Sequence, residues 1–400
     1  MHVMHVIDTM HGGGAETSLI EVVPRLASRG VRTSIVTLKA DDGALADRIG
    51  ALGIEHTRLR RRDPLRLTLE LRNIICSERP DILHTTLLFS NLAGRIAARM
   101  VRVPVVTTLA NQDYGPEHRA NSDYGVWAVR AVQAADLITA PLTTCFHAIS
   151  AEVARVMSHR LWIPMDRIQV IYRGRDAARL GVPTLDRRLK MRAALSIGTS
   201  TPVVLSVGRL DRQKGIETTI DAFKRLASRM PDAILLVAGR PGNANAVVQA
   251  AAKGMPAVRL LGHRTDVPDL MCAADVLSFP SRWEGLGGAL VEAMALRLGI
   301  VASDIPPVAE TIGDVGWPLV RPNDGQALAE GLASVLAGGV VNEEKKDAGQ
   351  RRFRSLFTAE VAADRMAALY QEVLRDSQQA SHDRASNGRS SRGGSRDKRS

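Results

Sequence analysis

The chain has 400 residues and three cysteines; 45% of its residues are hydrophobic, only 4% are aromatic, and its formal net charge is +11. That length suits two domains, scattered cysteines in odd number exclude a disulfide framework or a C-x-x-C metal site, and no apolar run of about 18 residues is available to span a bilayer. With so few aromatics the cores must be Ala, Leu, Val and Ile, the composition of parallel sheets covered by helices on both faces.

The N-terminus, MHVMHVIDTMHGGG, has no basic region followed by a long apolar stretch, so no secretory leader is expected and the chain is placed in the cytoplasm. MHVIDTM is a short apolar strand, HGGGAE (residues 11–16) a glycine-rich turn, and AETSLIEVVPRLASRG an amphipathic helix. TSIVTLKA is the next strand, ALADRIGALG and LTLELRNIICSERP are helical, and DILHTT is a strand. NLAGRIAARMVRV is helical, PVVTTLAN is a strand, and AADLITA and CFHAISAEVARVM extend the alternation. Short continuous apolar runs, each followed by an amphipathic helix, are the pattern of a parallel sheet buried on both faces.

A second cycle starts after Tyr172-Arg173-Gly174-Arg175-Asp176. PVVLSVGRL, AILLVAGRPG, VRLLGHRTDV, DVLSFPS and IVASD read as strands with their loops, separated by the helices ETTIDAFKRLASRMP, AVVQAAAKGM, VPDLMCAA and GALVEAMALRLG. The fold class is therefore α/β, with two facing, Rossmann-like, doubly wound domains over residues 1–172 and 177–357 and a hinge near Arg173. A final helix over residues 358–376 is expected to cross the hinge, followed by a disordered basic tail over 377–400. Ligands in such folds sit beyond the carboxyl ends of the strands, which places the site in the cleft between the sheets.

The positive charge is mostly scattered arginine, with one dense patch, RLRRRDPLRL (residues 58–67). No nucleic-acid module accompanies it, so no nucleic-acid partner is expected. The patch is either a solvated loop or, because leucines alternate with the arginines, a surface for peripheral contact with an anionic membrane.

Four loops after strands carry chemistry. Gly13 and Gly14 in HGGGAE free backbone amides at a helix start for an anion, although a purely structural tight turn explains them equally well. GRLDRQKGIET (residues 208–218) puts Arg209 and Lys214 on a turn before a helix, the arrangement of a phosphate clamp or of two exposed loop cations. Gly262, His263 and Arg264 form a third polar loop. In RWEGLGGALVEAM (residues 282–294), Glu284 lies in a loop facing the cleft, Gly285, Leu286, Gly287 and Gly288 lead into a helix, and Glu292 sits on that helix. No D-x-D occurs, so no metal clamp on a diphosphate is expected, and His2 and His5, three apart in a strand, face opposite ways.

GGGAE, SVGRLDRQKGIET, LLVAGRPG, RLLGHRTDVPDLMCAADVLSFPSRWEGLGGALVEAMA and IVASDIPPVAET together resemble the retaining family 4 glycosyltransferases of the GT-B fold, with Glu284 and Glu292 as an E-x7-E signature. The resemblance implies an acceptor-side N-terminal domain and a donor-binding C-terminal domain. It implies a nucleotide diphosphate sugar as donor substrate, no required cofactor, and a sugar, lipid-linked or small-molecule acceptor. Arg209 and Lys214 would hold the diphosphate, Glu284 with the 285–288 backbone the transferred sugar, Glu292 the ribose, the 262–264 loop the base, and Gly13 and Gly14 the diphosphate from across the cleft. The acceptor side departs from the family pattern. Arg173-Gly174-Arg175-Asp176 replaces N-G-V-D, Leu109-Ala110-Asn111 stands where a histidine is common, and Thr86 replaces a second histidine beyond His84. His84, Asn111 and Arg173 are the acceptor-side candidates. A nucleotide-sugar epimerase of the same architecture and a non-catalytic sugar-nucleotide-binding protein are the competing readings.

Overall fold

The computed structural model of the chain describes residues 1–10, 13–39, 44–59, 63–116, 119 and 125–393. His11, Gly12 and residues 60–62 and 394–400, which hold parts of the glycine turn, the basic patch and the tail, lie outside them. The first sheet contains β1 (His2–Ile7), β2 (Arg32–Thr37), β3 (Glu55–Arg58), β4 (Ile82–Thr86), β5 (Val105–Leu109), β6 (Cys145–Ala148) and β7 (Ile168–Val170) in the order β3-β2-β1-β4-β5-β6-β7. The second contains β8 (Val203–Val207), β9 (Ile234–Ala238), β10 (Val258–Gly262), β11 (Val276–Phe279), β12 (Gly299–Ser303) and β13 (Leu319–Val320) in the order β10-β9-β8-β11-β12-β13. The strands pair in parallel, as helix-crossover connections require.

Each sheet reverses its winding once, between β1 and β4 and between β8 and β11. At such a break the two outgoing loops diverge and leave a crevice at the carboxyl ends. Gly13 and Gly14 follow β1, GRLDRQKG follows β8, and RWEGLGG follows β11, so described residues of three of the four expected loops lie at the two breaks. Central strands are buried at every residue, as in β1, β5 and β12. The edge strands β3, β7 and β13 are half exposed, so EHTR, IQV and LV lack the apolar run that identifies a strand in sequence. AADLITA, expected to continue the strand alternation, instead closes the helix Val126–Thr139, where Asp136 pairs with the fully buried Arg95 at 2.5 Å.

The basic patch divides between two elements. Leu59 follows β3 and is buried, while Asp63 caps the helix Pro64–Glu78 by accepting the Arg66 amide at 2.7 Å. Leu67 also faces the core, whereas Leu65 is 69% exposed. Among the described residues no helix is long and apolar enough to cross a membrane.

The final helix, Ala359–Gly393, returns to the first sheet. Ala359, Ala362, Ala363, Met366, Tyr370 and Val373 recur at helical spacing and are buried in one core with Val22, Val23 and Leu26 of the helix Gly14–Ala27. Arg25 bonds Glu360 at 2.5 Å and Arg29 bonds Asp364 at 2.6 Å across the same contact. The chain crosses itself at the hinge: Arg175 N donates to Phe357 O at 2.8 Å and Ala359 N to Arg175 O at 2.9 Å. A Cβ at Gly174 would fall 2.6 Å from the Ala359 Cα, so the crossing admits only glycine there. The helix continues past residue 377 to Gly393, where an irregular tail was expected; extending an existing helix avoids the cost of nucleating one.

Tyr370 reaches a row of histidines on neighbouring strands. In register, His5 stands beside His84 and Thr108 beside His147. His84 shares its ring nitrogens with Tyr370 Oη at 2.6 Å and Thr108 Oγ1 at 2.7 Å, and His147 Nε2 lies 2.8 Å from Ile171 O. Burial holds all three rings neutral, with His5 down to about 3, His147 to about 4, and His84 well below its ordinary value. Unfolding releases them to titrate near 6.5, so the unfolded chain binds more protons below that pH. Stability is therefore complete above about pH 6.5 and falls on acidification, by up to about 1.4 kcal/mol per pH unit for each ring. Denaturant unfolding between pH 7 and pH 5, above the ordinary carboxylate range, should show this slope; a flat profile contradicts it.

Candidate active site

The loop after β8 owes its path to two glycines. Gly208 and Gly215 both have positive φ, and a Cβ at Gly215 would fall 2.5 Å from Pro280 O in the loop after β11. The two loops are further joined by Arg282 N to Gln213 O at 2.8 Å and Gln213 Nε2 to Trp283 O at 2.9 Å. This stapling aims Lys214 across the break, where its Nζ donates to Glu284 Oε1 at 2.5 Å and lies 5.4 Å above the Phe279 ring. Glu284 is 5% exposed, and a carboxylate so buried requires a charged or hydrogen-bonding partner. Arg209 is a different kind of cation. Its side chain is 66% exposed and pairs with Asp211, whose other oxygen accepts Asn243 N at 3.0 Å. The pair of cations expected from the spacing thus resolves into one engaged with Glu284 and one held in its own loop.

Glu292 lies in the second turn of the helix Gly288–Ala295, which Gly287 opens at φ +88°. Its Oε1 accepts Arg175 Nε at 2.9 Å, with Arg179 Nη2 at 3.5 Å. Arg175 is 4% exposed and also donates to Ser18 Oγ at 2.7 Å, while Arg179 donates to Glu21 Oε1 at 2.5 Å. Two hinge arginines therefore tie Glu292 to the helix Gly14–Ala27. Arg175 Nη2 fills the space that a Cβ at Gly288 would need, so contact requires glycine at that position.

The opposite wall is contributed by the loops after β5 and β6. Gln112 Nε2 donates to Glu284 O at 3.2 Å, Ser150 Oγ to Gly285 O at 2.7 Å, and a Cβ at Gly285 would fall 2.7 Å from Ala110 O. Asn111 accepts the Gln112 amide at 2.9 Å, which shapes the turn on which Gly285 rests. Leu286 is buried and its carbonyl accepts Thr311 Oγ1 at 2.6 Å. Gly13 precedes the helix Gly14–Ala27 in extended conformation, with Glu16 folded back against it and bonded to Thr9 at 3.2 Å; Arg173 Nη1 lies near Gly14. Gly262 has φ +65° and accepts Gly239 N at 2.8 Å. Beside it His263 is exposed, and Arg264 is bidentate to Asp266 at 2.8 and 2.5 Å.

The structure thus gathers Lys214, Glu284, the 285–288 turn and Glu292 around the β8/β11 break, with Asn111 touching them through backbone. His84 stands apart, buried with both ring nitrogens engaged. Gln112, Ser150, Arg179 and Phe279 belong to the site without any motif to announce them; only Ser150, which caps the helix Ala151–Leu161, is legible locally. A cavity of about 570 Å3 lined by Arg188, Asp275, Arg297 and Lys346 contains none of the expected site residues. Among the described residues no three His, Cys, Asp or Glu side chains are arranged to hold a metal ion. Removing Lys214 strands a buried carboxylate, so Lys214→Ala should cost about 3–5 kcal/mol, and the Lys214→Ala/Glu284→Ala double variant less than the sum of its parts. Strict additivity in denaturant unfolding contradicts the pairing.

The model of the family "Glycosyltransferase Family 4" matches residues 12–179, and that of "Glycosyl transferases group 1" matches residues 201–338. The chain is 27% identical to the alpha-maltose-1-phosphate synthase of Mycolicibacterium smegmatis over 77% of this chain and 83% of that protein. It is 25% identical to the D-inositol 3-phosphate glycosyltransferase of Jonesia denitrificans over 91% of this chain and 92% of that protein. The structure of Anabaena HepE in complex with UDP-glucose superposes with a TM-score of 0.81 at 20% identity, covering 93% of this chain and 100% of that one. With both halves matched in this way and the two-sheet architecture shared, the chain belongs to glycosyltransferase family 4 and has the GT-B fold.

Proposed function

We propose that this glycosyltransferase moves a sugar from a nucleoside diphosphate sugar to a hydroxyl of a sugar, lipid-linked or small-molecule acceptor, with retention of configuration and without a metal. The observation that carries the reading is the Lys214–Glu284 pair at the β8/β11 break, with Glu292 on the helix that follows Glu284. The UDP-glucose complex of HepE, which shares this architecture, supports a donor of that class.

Each group has a task its setting suits. Lys214 neutralises the charge that develops on the diphosphate as the bond to the sugar breaks, and Arg209 adds a second, exposed cation. The amides at Gly287 and Gly288 open a helix and favour the same anion. Glu284, pinned by Lys214, accepts hydrogen bonds from the transferred sugar. Glu292 takes the ribose hydroxyls, the 262–264 loop takes the base, and Gly13 and Gly14 approach the diphosphate from the first domain. The bond from C1 to the diphosphate oxygen breaks, the acceptor oxygen bonds C1 on the same face, and the acceptor proton passes to the departing diphosphate. These cations and amides supply the charge that a metal clamp supplies elsewhere.

With a panel of UDP, GDP, ADP and dTDP sugars, Lys214→Ala and Glu284→Ala should each lower transfer by about 10²–10³-fold. Glu292→Ala should mainly raise KM for the donor, EDTA should leave the rate unchanged, and the product should carry the donor's anomeric configuration by NMR. Full activity in both of the first two variants, or an inverted product, contradicts the assignment. Peripheral membrane contact is a second part of the proposal, supported by Leu65 and Leu69, which are 69% and 42% exposed beside exposed Arg66. Co-sedimentation with anionic vesicles should decline with salt; absent or salt-insensitive binding contradicts it.

A further inference from the structure

A cavity of about 60 Å3, several times the roughly 10–15 Å3 that one water needs, lies where Arg173 leaves the first sheet for the hinge. Its sheet wall is formed by His5, His84, Thr86, Thr108 and His147 from β1, β4, β5 and β6, and its other wall is largely apolar, from the helices Gly14–Ala27 and Ala359–Gly393. Two of its polar groups lack a hydrogen-bond partner among the described residues. His5 is 3% exposed, and neither ring nitrogen makes a hydrogen bond. Arg173 Nη2 is buried without an acceptor, unlike its neighbour Arg175, whose guanidinium is taken by Glu292 and Ser18.

Among the described residues no Asp or Glu lines the cavity. Glu16, the carboxylate whose field reaches Arg173, is bonded to Thr9. Burial and the charge of Arg175 lower Arg173 only to about 10, so it remains a cation at neutral pH. Glu16 supplies a counter-charge through space but no acceptor to Nη2. A buried guanidinium N–H without an acceptor is costly, and a planar guanidinium is shaped to receive two oxygens of one anion. What the cavity lacks is a negatively charged hydrogen-bond acceptor.

We propose that this cavity receives an anionic substituent, phosphate or carboxylate, of the acceptor, with Arg173 as its charged partner and His5 as a neutral hydrogen-bond donor. This rests on the transferase reading above and narrows it: the acceptor is an acidic or phosphorylated sugar or polyol. The donor diphosphate already has cations at the other sheet, Lys214 and Arg209. At about 60 Å3 the cavity is sized for a charged substituent and not for a sugar ring.

Calorimetry on the full chain with glucose, glucose 1-phosphate, glucose 6-phosphate, glucuronate, inorganic phosphate and UDP tests this. The unaltered protein should bind at least one anionic sugar more than tenfold more tightly than glucose, and inorganic phosphate should compete if the substituent is phosphate; glucuronate preference identifies carboxylate. Arg173→Gln should abolish the preference, Arg173→Lys should restore part of it, and UDP affinity should stay the same in both. The proposal is overturned if no anion binds, if glucose binds as well as the anionic sugars, or if Arg173→Gln weakens UDP as much as the acidic sugars. Failure of the unaltered protein to bind any nucleoside diphosphate contradicts the donor site instead, since the anion readout does not depend on it.

Discussion

Glu284 is a carboxylate almost wholly removed from water, and it persists in that state because Lys214 meets it at 2.5 Å. The two residues are 70 positions apart and follow different strands. They meet because the parallel sheet changes winding between β8 and β11, which sets those two strands side by side and sends their loops into one crevice. The local features follow from keeping that meeting in register. Gly215 lets the loop after β8 pass Pro280 O, Gln213 ties the loop to Trp283, and Gly287 turns the chain into the helix that carries Glu292.

A second ionic system fastens this centre to the rest of the molecule. Arg175 and Arg179 leave the hinge toward Glu292 and also bond Ser18 and Glu21 on the helix Gly14–Ala27. Arg25 of that helix continues to Asp176 and Glu360. The final helix, locked by Tyr370 on His84, thus shares one network with the residue proposed to hold the ribose. A ligand that draws Glu292 away from Arg175 acts on the hinge as well as on the site.

The sequence revealed the parts whose signal is local. Central strands are buried on both faces and write continuous apolar runs, so β1, β4, β5, β8, β9 and β11 were legible, as was the alternation that makes two doubly wound sheets. Edge strands such as EHTR and LV are half solvated and write no such run. Glu284 and Glu292 could be told apart because one precedes the glycines and the other lies in a helix. Their partners could not be read in the same way. Arg175 reaches Glu292 across 117 positions and Tyr370 reaches His84 across 286, contacts decided by the hinge crossing rather than by any spacing. His84 lies near the end of a strand, as a cleft residue would, yet the final helix covers it.

Whether the crevice at the β8/β11 break receives a nucleoside diphosphate is tested most directly by amide hydrogen exchange with and without saturating UDP or GDP. Residues 208–218 and 284–295 should gain protection together, with a smaller gain at 262–264, while the far face around Arg188 and Lys346 stays unchanged. Protection confined to that far face, or none at either loop under saturating nucleotide, would contradict it.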